Sequence, residues 1–298
     1  MKISVLLATF NAAPFLKEQI DSILVQKNVD LELIIRDDGS ADNTLEICGQ
    51  YVKSDSRVKM LNVTSKSKGA SSNFYTLLRQ DLIDSSYIAL ADQDDIWEPD
   101  KLSRAVKLLQ STGADGYSCD VMAFYPNGEK FLVKKSFEQK EFDFLFEGPG
   151  PGSTFVITKK AHCSLKSFLD CNLDLDENAP LHDWFIYAFL RSKGMNWVID
   201  DYVGLNYRQH ENNVIGVNKG ILAVVRRLKS VIWGEGLLQA FKTRNMLYGN
   251  ENSPYPCPFE SKPYWFLFKH ADKFRRRKSD VNTFRVLIGL LWLKNFFK

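Results

Sequence analysis

No hydrophobic run in this 298-residue chain is long enough to cross a bilayer. The longest late run, Val286–Leu293, falls far short of the ~20 apolar residues a spanning helix needs. The opening apolar run, Ile3–Phe10, follows a single Lys2 and stops at Asn11, so a signal peptide is not expected. Cysteine is scarce and unpaired in pattern. Cys48, Cys119, Cys163, Cys171 and Cys257 are odd in number and contain no C-x-x-C, so neither a disulfide framework nor a zinc site is indicated and a reduced cytoplasm is the default. Internal repeats are missing, and so is a glycine- and basic-rich phosphate loop near the start, where Ala8–Pro14 stands instead.

What is present is an ordinary globular composition: 45% hydrophobic, 25% charged and 13% aromatic, enough for a core without staples. The net charge of +3 hides an asymmetry. Residues 1–220 carry 24 Lys/Arg against 31 Asp/Glu (−7), and residues 221–298 carry 15 against 5 (+10). A basic tail of this kind points to an anionic membrane surface or to nucleic acid. No recognition motif accompanies the short run Arg275–Lys278, which reads as a solvated face, so nucleic acid is not expected.

The first third alternates strand and helix. Ile3–Ala8 is a strand covered on both faces; Asn11 and Pro14 open a helix whose Leu16, Ile20, Ile23 and Leu24 recur at helical spacing. Strands at Leu31–Ile35, Val58–Val63 and Tyr87–Ala91 follow. Between them lie a helix capped by Asp42, with Leu45, Cys48 and Val52 on one face, and a helix Phe74–Ile83 capped by Ser71 or Ser72. This is an α/β arrangement with a parallel sheet, whose ligands bind beyond the carboxyl ends of the strands. After a helix Lys101–Gln110 come a hairpin (Tyr117–Tyr125, Lys130–Val133), a Gly/Pro loop Glu147–Gly152 and a strand Thr154–Ile157. A helix from Lys159, a loop near Asn172–Pro180, a helix Asp183–Lys193 and a strand pair around Trp197–Tyr207 complete this half. The expected organisation is 1–220 as one domain, with halves 1–110 and 111–220, and 221–298 as basic amphipathic helices.

Three acidic clusters fall at strand ends. Asp92-Gln93-Asp94-Asp95 follows the fourth strand and is either a capping turn or a site for a hard divalent cation, since carboxylates this close repel unless something offsets them. Asp37-Asp38-Gly39-Ser40 is either a turn or an acceptor for the imide N–H of a uracil or thymine ring. Asp183, between His182 and Trp184, is a helix cap or a general base. Tyr207–Asn213 adds a cation, an imidazole and amides, fit for a phosphate–metal environment.

Together, Ile3–Asn11 (ISVLLATFN), Glu32–Ser40 (ELIIRDDGS), Ala91–Trp97 (ADQDDIW) and His182-Asp183-Trp184 resemble inverting glycosyltransferases of family 2 with the GT-A (Rossmann-like) fold, over roughly residues 1–215. With R-Q-H-x-x-N at Arg208–Asn213, the likeness is strongest to bacterial rhamnosyltransferases. The resemblance implies a mixed central sheet and a nucleotide pocket of Ala8, Thr9, Phe10 and Asn11, with Asp38 on the pyrimidine, Asp37 behind it, and Asn73, Asp92 and Gln93 as further contacts. It implies Asp94, Asp92 and His210 around Mg²⁺ or Mn²⁺, Asp183 as catalytic base, and Trp97, Gly152, Ser153, Thr154, His182 and Trp184 on the acceptor side. The Gly148–Thr154 stretch departs from the family's simpler glycine turn.

The implied reaction is metal-dependent, inverting transfer, with dTDP-L-rhamnose or a UDP-hexose as donor and a surface polysaccharide or lipid-linked glycan as acceptor. The enzyme would be cytoplasmic, at the inner face of the membrane, and a homo-oligomer is left open. The tail either touches an anionic bilayer or packs on protein. A noncatalytic nucleotide-sugar-binding scaffold is the rival of another class, and the intact Asp92, Asp94 and Asp183 count against it. A nucleotidyltransferase would need the missing phosphate loop, and a dehalogenase-like phosphatase would need an Asp-x-Asp after Ile3–Ala8.

Overall fold

The computed structural model describes residues 2–61, 69–173, 181–210, 235–248 and 263–296. The expected ends and loops at 62–63, 68, 174–180, 211–213, 224–229 and 257 lie outside the described residues. The chain divides into two compact units, Met1–Ser136 with Pro149–Gly216, and Phe137–Gly148 with Val217–Lys298.

The first unit is built on β1 (Lys2–Thr9), β2 (Asp30–Asp37), β3 (Val58–Met60), β4 (Tyr87–Ala91), β5 (Ile96–Trp97), β6 (Gly116–Phe124), β7 (Lys130–Val133), β8 (Val156–Thr158) and β9 (Trp197–Arg208). The sheet order is β3-β2-β1-β4-β8-β6-β9-β5, with β7 paired to β6. The β3-β2-β1-β4 half is parallel, β8 runs antiparallel to both β4 and β6, and β6 and β9 are parallel again. This is an α/β mixed sheet, as the resemblance implies. Ile3, Val5, Leu7, Leu33, Ile35 and Ala89 are fully buried because helices cover the parallel half, so these strands lack the polar alternation of a half-exposed sheet.

Helices α1 (Leu16–Leu24), α2 (Thr44–Ser54), α3 (Ala70–Leu78), α4 (Lys101–Thr112), α5 (Lys159–Cys171) and α6 (His182–Ser192) complete this unit. Leu16, Ile20 and Ile23 of α1 are buried as their spacing predicts. In α2 the inward face is Thr44, Ile47 and Cys48, while Leu45 and Val52 face solvent. The helix begins at Thr44 with Asn43 in the N-cap position, one residue after the expected cap, and Asp42 accepts from the Thr44 and Ala13 amides just before it. Helix α3 starts at Ala70, before the two serines expected to cap it, and the residue at its N-cap position is Gly69, whose φ is positive. The expected strand pair near Trp197–Tyr207 is one strand, irregular opposite Cys119–Val121. Gly204 fits there because any Cβ would meet the Cys119 sulfur at 2.5 Å.

The second unit contains α7 (Glu235–Tyr248), α8 (Pro263–Lys269), α9 (Ala271–Phe274), α10 (Lys278–Phe296) and a 3₁₀ turn, Asp143–Leu145. Phe142 and Phe146 of the turn segment pack on Phe274, and Phe146 also on Phe284. The basic run, read from sequence as a solvated face, is in part interior. The Arg276 guanidinium is buried and pairs with Asp143 at 2.9 Å and Glu147 at 3.3 Å, and Arg275 meets Glu147 at 2.8 Å. These acids come from over a hundred residues upstream, so local charge pattern could not reveal them.

Candidate functional site

Three parallel strands end side by side. Thr9 lies opposite Asp37 across β1–β2, and Leu7 opposite Ala91 across β1–β4, so the segments after Thr9, Asp37 and Ala91 share one edge. The buried Thr9 hydroxyl donates to Asp37 Oδ1 at 2.9 Å. Asp37 also accepts from the Gly39 and Ser40 amides and the Ser40 hydroxyl, at 2.6–2.9 Å, which folds the Asp38–Ser40 turn around it. Asn11, at φ 49°, accepts from the Ala41 amide and donates its own N–H to Ser40 Oγ. Gln93 grips Phe10 at both ends of its backbone: Oε1 accepts the Phe10 N–H at 2.7 Å and Nε2 donates to the Phe10 carbonyl at 3.1 Å. These are rigid walls around a half-exposed Phe10 ring and the carboxylate of Asp38.

Asn73 reaches the same edge from α3. Its side chain is buried, its oxygen accepts from Arg36, and its nitrogen lies 3.3 Å from the Thr9 carbonyl, so it braces the strand ends.

The acidic cluster is tightly supported. His210 Nε2 meets Asp94 Oδ2 at 2.8 Å, and the His210 ring stacks on Phe15. Asp95 is fully buried; it accepts from Ser153 Oγ at 2.7 Å and from the Arg208 amide at 3.2 Å. Burial, followed by the charges of Asp94 and Asp183, pushes Asp92 up to about 7 against the pull of Ser153. Burial and the charges of Asp94 and Asp92 likewise raise Asp95 well above the carboxylate range. Tyr207 is raised by burial and then by Asp92, Asp95, Asp94 and Asp183, so all four acids act on one phenol. Uncompensated carboxylates at this spacing resist ionising together.

Asp183 comes from the first turn of α6. Its Oδ1 accepts the Trp184 N–H at 2.7 Å, and no described group bonds Oδ2. The neighbouring His182 is anchored by its amide on Ser71 and by stacking on Phe74 at 4.1 Å. Burial lowers its proton affinity, and Nε2 has no partner among the described residues. The Gly152–Thr154 turn packs directly beneath, with a hypothetical Gly152 Cβ 2.5 Å from His182 Nε2 and 3.5 Å from Asp183 Cβ. Ser153 and Thr154 are buried, Thr154 Oγ1 donating to the Pro151 carbonyl.

The structure thus gathers Asp92, Asp94, His210, Gly152, Ser153, His182 and Asp183 on one side, and Thr9, Phe10, Asn11, Asp37, Asp38, Asn73 and Gln93 on the other. Trp97 stands apart: it is buried in the core with Lys101 Nζ 3.4 Å from its ring centroid. Ala8 is buried in β1, and Trp184 is half-buried. Arg208, the cation of the R-Q-H-x-x-N motif, donates to the Asp94 carbonyl at 2.9 Å, pairs with Glu18 and lies over Phe15 and Phe124. One supporting residue has no role in the sequence motifs: Arg36, buried at the end of β2, donates to Asn73, and its place in an apolar strand gives no local sign of that partner.

No group of three or more metal-ligating side chains is gathered among the described residues. Asp94 and His210 supply one carboxylate and one imidazole. This donor set suits a hard cation that draws its remaining ligands from substrate phosphates.

The family model for glycosyl transferase family 2 matches residues 4–166. The dTDP-rhamnosyl transferase RfbG of Shigella flexneri is 42% identical over 224 residues, covering 74% of this chain and 78% of that protein. The glycosyltransferase GlyG of Streptococcus pneumoniae is 30% identical over 142 residues, 45% of this chain and 46% of its own. Among solved structures, Staphylococcus aureus TarS 1–349 in complex with UDP-GlcNAc aligns with a TM-score of 0.55 at 16% identity, covering 97% of this chain and 91% of that one. A Pyrobaculum calidifontis mannosyltransferase in complex with GDP-Man and Mn²⁺ aligns at 0.52 and 14% identity, covering 97% and 84%. At such identities these two speak to the fold alone. The family match spans more than half the chain and carries the strand ends, the acidic cluster and the loop behind them, so this protein is a glycosyltransferase and belongs to glycosyl transferase family 2.

Proposed function

We propose that the chain transfers L-rhamnose from dTDP-L-rhamnose to a hydroxyl of a surface polysaccharide or lipid-linked glycan, with inversion at the anomeric carbon. The observation that carries this reading is geometric: the segments after Thr9, Asp37 and Ala91 share one sheet edge, Asp94 there meets His210 at 2.8 Å, and the Gly152–Thr154 turn touches His182 and Asp183. The 42% identity to a dTDP-rhamnosyl transferase favours the donor.

Asp38 accepts from the thymine ring, while Thr9, Phe10 and Asn11 line its pocket. Asp94 and His210, with Asp92 beside them, hold Mg²⁺ or Mn²⁺; when bound, the cation supplies Lewis-acid stabilisation of the departing diphosphate. Asp183 Oδ2 takes the acceptor proton as the hydroxyl oxygen attacks the face opposite the leaving group, and Gly152 and His182 shape the approach. A general base contributes roughly 10²- to 10⁴-fold. The second unit rests on an anionic membrane surface at the cytoplasmic side.

The test is a donor screen with the purified full-length chain and Mn²⁺. dTDP should be released from dTDP-rhamnose in an acceptor-dependent way and faster than UDP from UDP-hexoses, with the product anomer inverted by NMR. Undiminished transfer by Asp183→Asn would overturn the assignment of the base, and preference for a UDP-hexose would overturn the donor.

A further inference from the structure

Arg36 is among the largest fully buried side chains of the described residues and has no part in the chemistry above. It lies one residue before the Asp37-Asp38 pair, opposite Ala8 across β1–β2. A guanidinium keeps its charge in a protein, and a buried charge needs fixed partners. Arg36 Nη1 donates to Asn73 Oδ1 at 2.8 Å and stands 3.5 Å from Asp38 Oδ1. Asn73 in turn reaches the Thr9 carbonyl at 3.3 Å and the Arg36 carbonyl at 3.4 Å, so the guanidinium is held from α3 and from both strand ends.

The adjacent carboxylates therefore have different work. Asp37 is taken up by hydrogen bonds that shape its own turn. Asp38 is aligned by a cation that cannot move away.

We propose that Arg36 is a positioning residue for base selectivity: braced by Asn73, it fixes the orientation of Asp38 as an acceptor, so that the site takes thymine or uracil and rejects cytosine. The inference rests on the reading of Asp38 as the base contact. Thymine and uracil present an imide N3–H to such an oxygen. Cytosine presents an unprotonated N3, which sets acceptor against acceptor. A site built around a fixed buried acceptor discriminates strongly against a ligand that lacks the donor. Without the guanidinium, the Asp38 carboxylate can turn away and would then tolerate either ring.

The test is calorimetric binding of dTDP and of CDP, each with Mn²⁺, to the full-length protein. The wild type should bind dTDP at least about tenfold more tightly than CDP, as expected for a hydrogen bond to a charged group. Arg36→Met should bring the ratio close to one, chiefly by weakening dTDP. Arg36→Lys, which keeps a charge and is the safer variant for folding, should retain part of the ratio. In an Asp38→Asn background Arg36→Lys should add no further change in the ratio. A wild-type ratio near one would overturn the reading of Asp38 and this inference with it. A normal wild-type ratio that persists in folded Arg36→Lys and Arg36→Met, or an equal loss of both ligands, would overturn the inference alone and leave Arg36 a structural brace.

Discussion

His210 Nε2 lies 2.8 Å from Asp94 Oδ2, bringing together two groups 116 positions apart in the chain. The contact orients the carboxylate, and Phe15 stacked on the imidazole holds the ring in place. Removing even a group that only orients a metal-binding carboxylate typically costs 10- to 100-fold in metal affinity, which sets a floor for His210. His210→Ala should therefore raise the Mn²⁺ concentration for half-maximal transfer by about tenfold or more, with maximal rate partly recovered at high metal. Chelator should abolish turnover of both proteins. An unchanged Mn²⁺ requirement in His210→Ala would remove the residue from the metal environment.

Gly152→Ala places a methyl group where His182 Nε2 stands, at 2.5 Å. The ring cannot simply rotate away, because it is stacked on Phe74 at 4.1 Å. The strain must pass to the first turn of α6 and so to Asp183. Displacing a catalytic group by about 1 Å can cost on the order of 10²-fold. The expected result is a fall in kcat of about that size with dTDP affinity nearly intact. Equal losses in kcat and nucleotide affinity would show instead that the turn supports the donor pocket.

Lys101 is fully buried over the Trp97 ring, and its Nζ has no hydrogen-bond partner among the described residues. Burial lowers it from its ordinary 10.5 to about 7, although Cys119 and Asp95 pull the other way. Because the folded-state value lies below the unfolded one, the unfolded chain holds the extra proton between pH 7 and 10.5. The penalty is thus full below pH 7 and fades as pH rises toward 10.5. Lys101→Met should stabilise the protein at neutral pH by on the order of 2 kcal/mol, the cation–π contact offsetting the rest. Denaturant melts at several pH values check this: the gap between variant and wild type should close by pH 10. A gap independent of pH would mean that the lysine stays charged.

Much of this molecule is legible in its sequence because the information is local. The apolar runs of β1, β2 and β4 mark a covered parallel sheet, and the acids directly after them mark its ligand edge. What escaped depends on distant partners. Arg276 looks solvated until Asp143 and Glu147 arrive from another part of the chain. Arg36 reads as a strand residue until Asn73 meets it. Trp97 sits beside the acidic motif, yet β5 pairing with β9 turns it into the core. A local pattern reports which face is apolar, but not which charge will be answered.

The second unit's outer surface leads to the last prediction. Helices α8 and α10 expose Trp265 (52%), Leu290 (55%) and Leu293 (56%), along with Phe268, Val286 and Trp292. Trp265 stacks on Phe268 and approaches Trp292 at 6.2 Å between ring centroids, so the aromatic groups form one ridge. No described helix is long and apolar enough to cross a membrane. An apolar, tryptophan-bearing face on a strongly basic region is suited to lying in the headgroup layer. Arg275 and Arg276 are spent on internal acids, so the apolar ridge must carry more of the attraction than the charge count suggests. Each half-exposed tryptophan would bury on the order of 100 Å² on insertion, at most roughly 2–3 kcal/mol apiece. Trp265→Ala combined with Trp292→Ala should therefore weaken co-sedimentation with phosphatidylglycerol vesicles by about tenfold or more, while solution-phase dTDP affinity stays unchanged. If vesicle binding is the same in both proteins, the ridge does not meet the bilayer. If the double variant instead shifts the sedimentation coefficient without lipid, the ridge joins two copies of this chain.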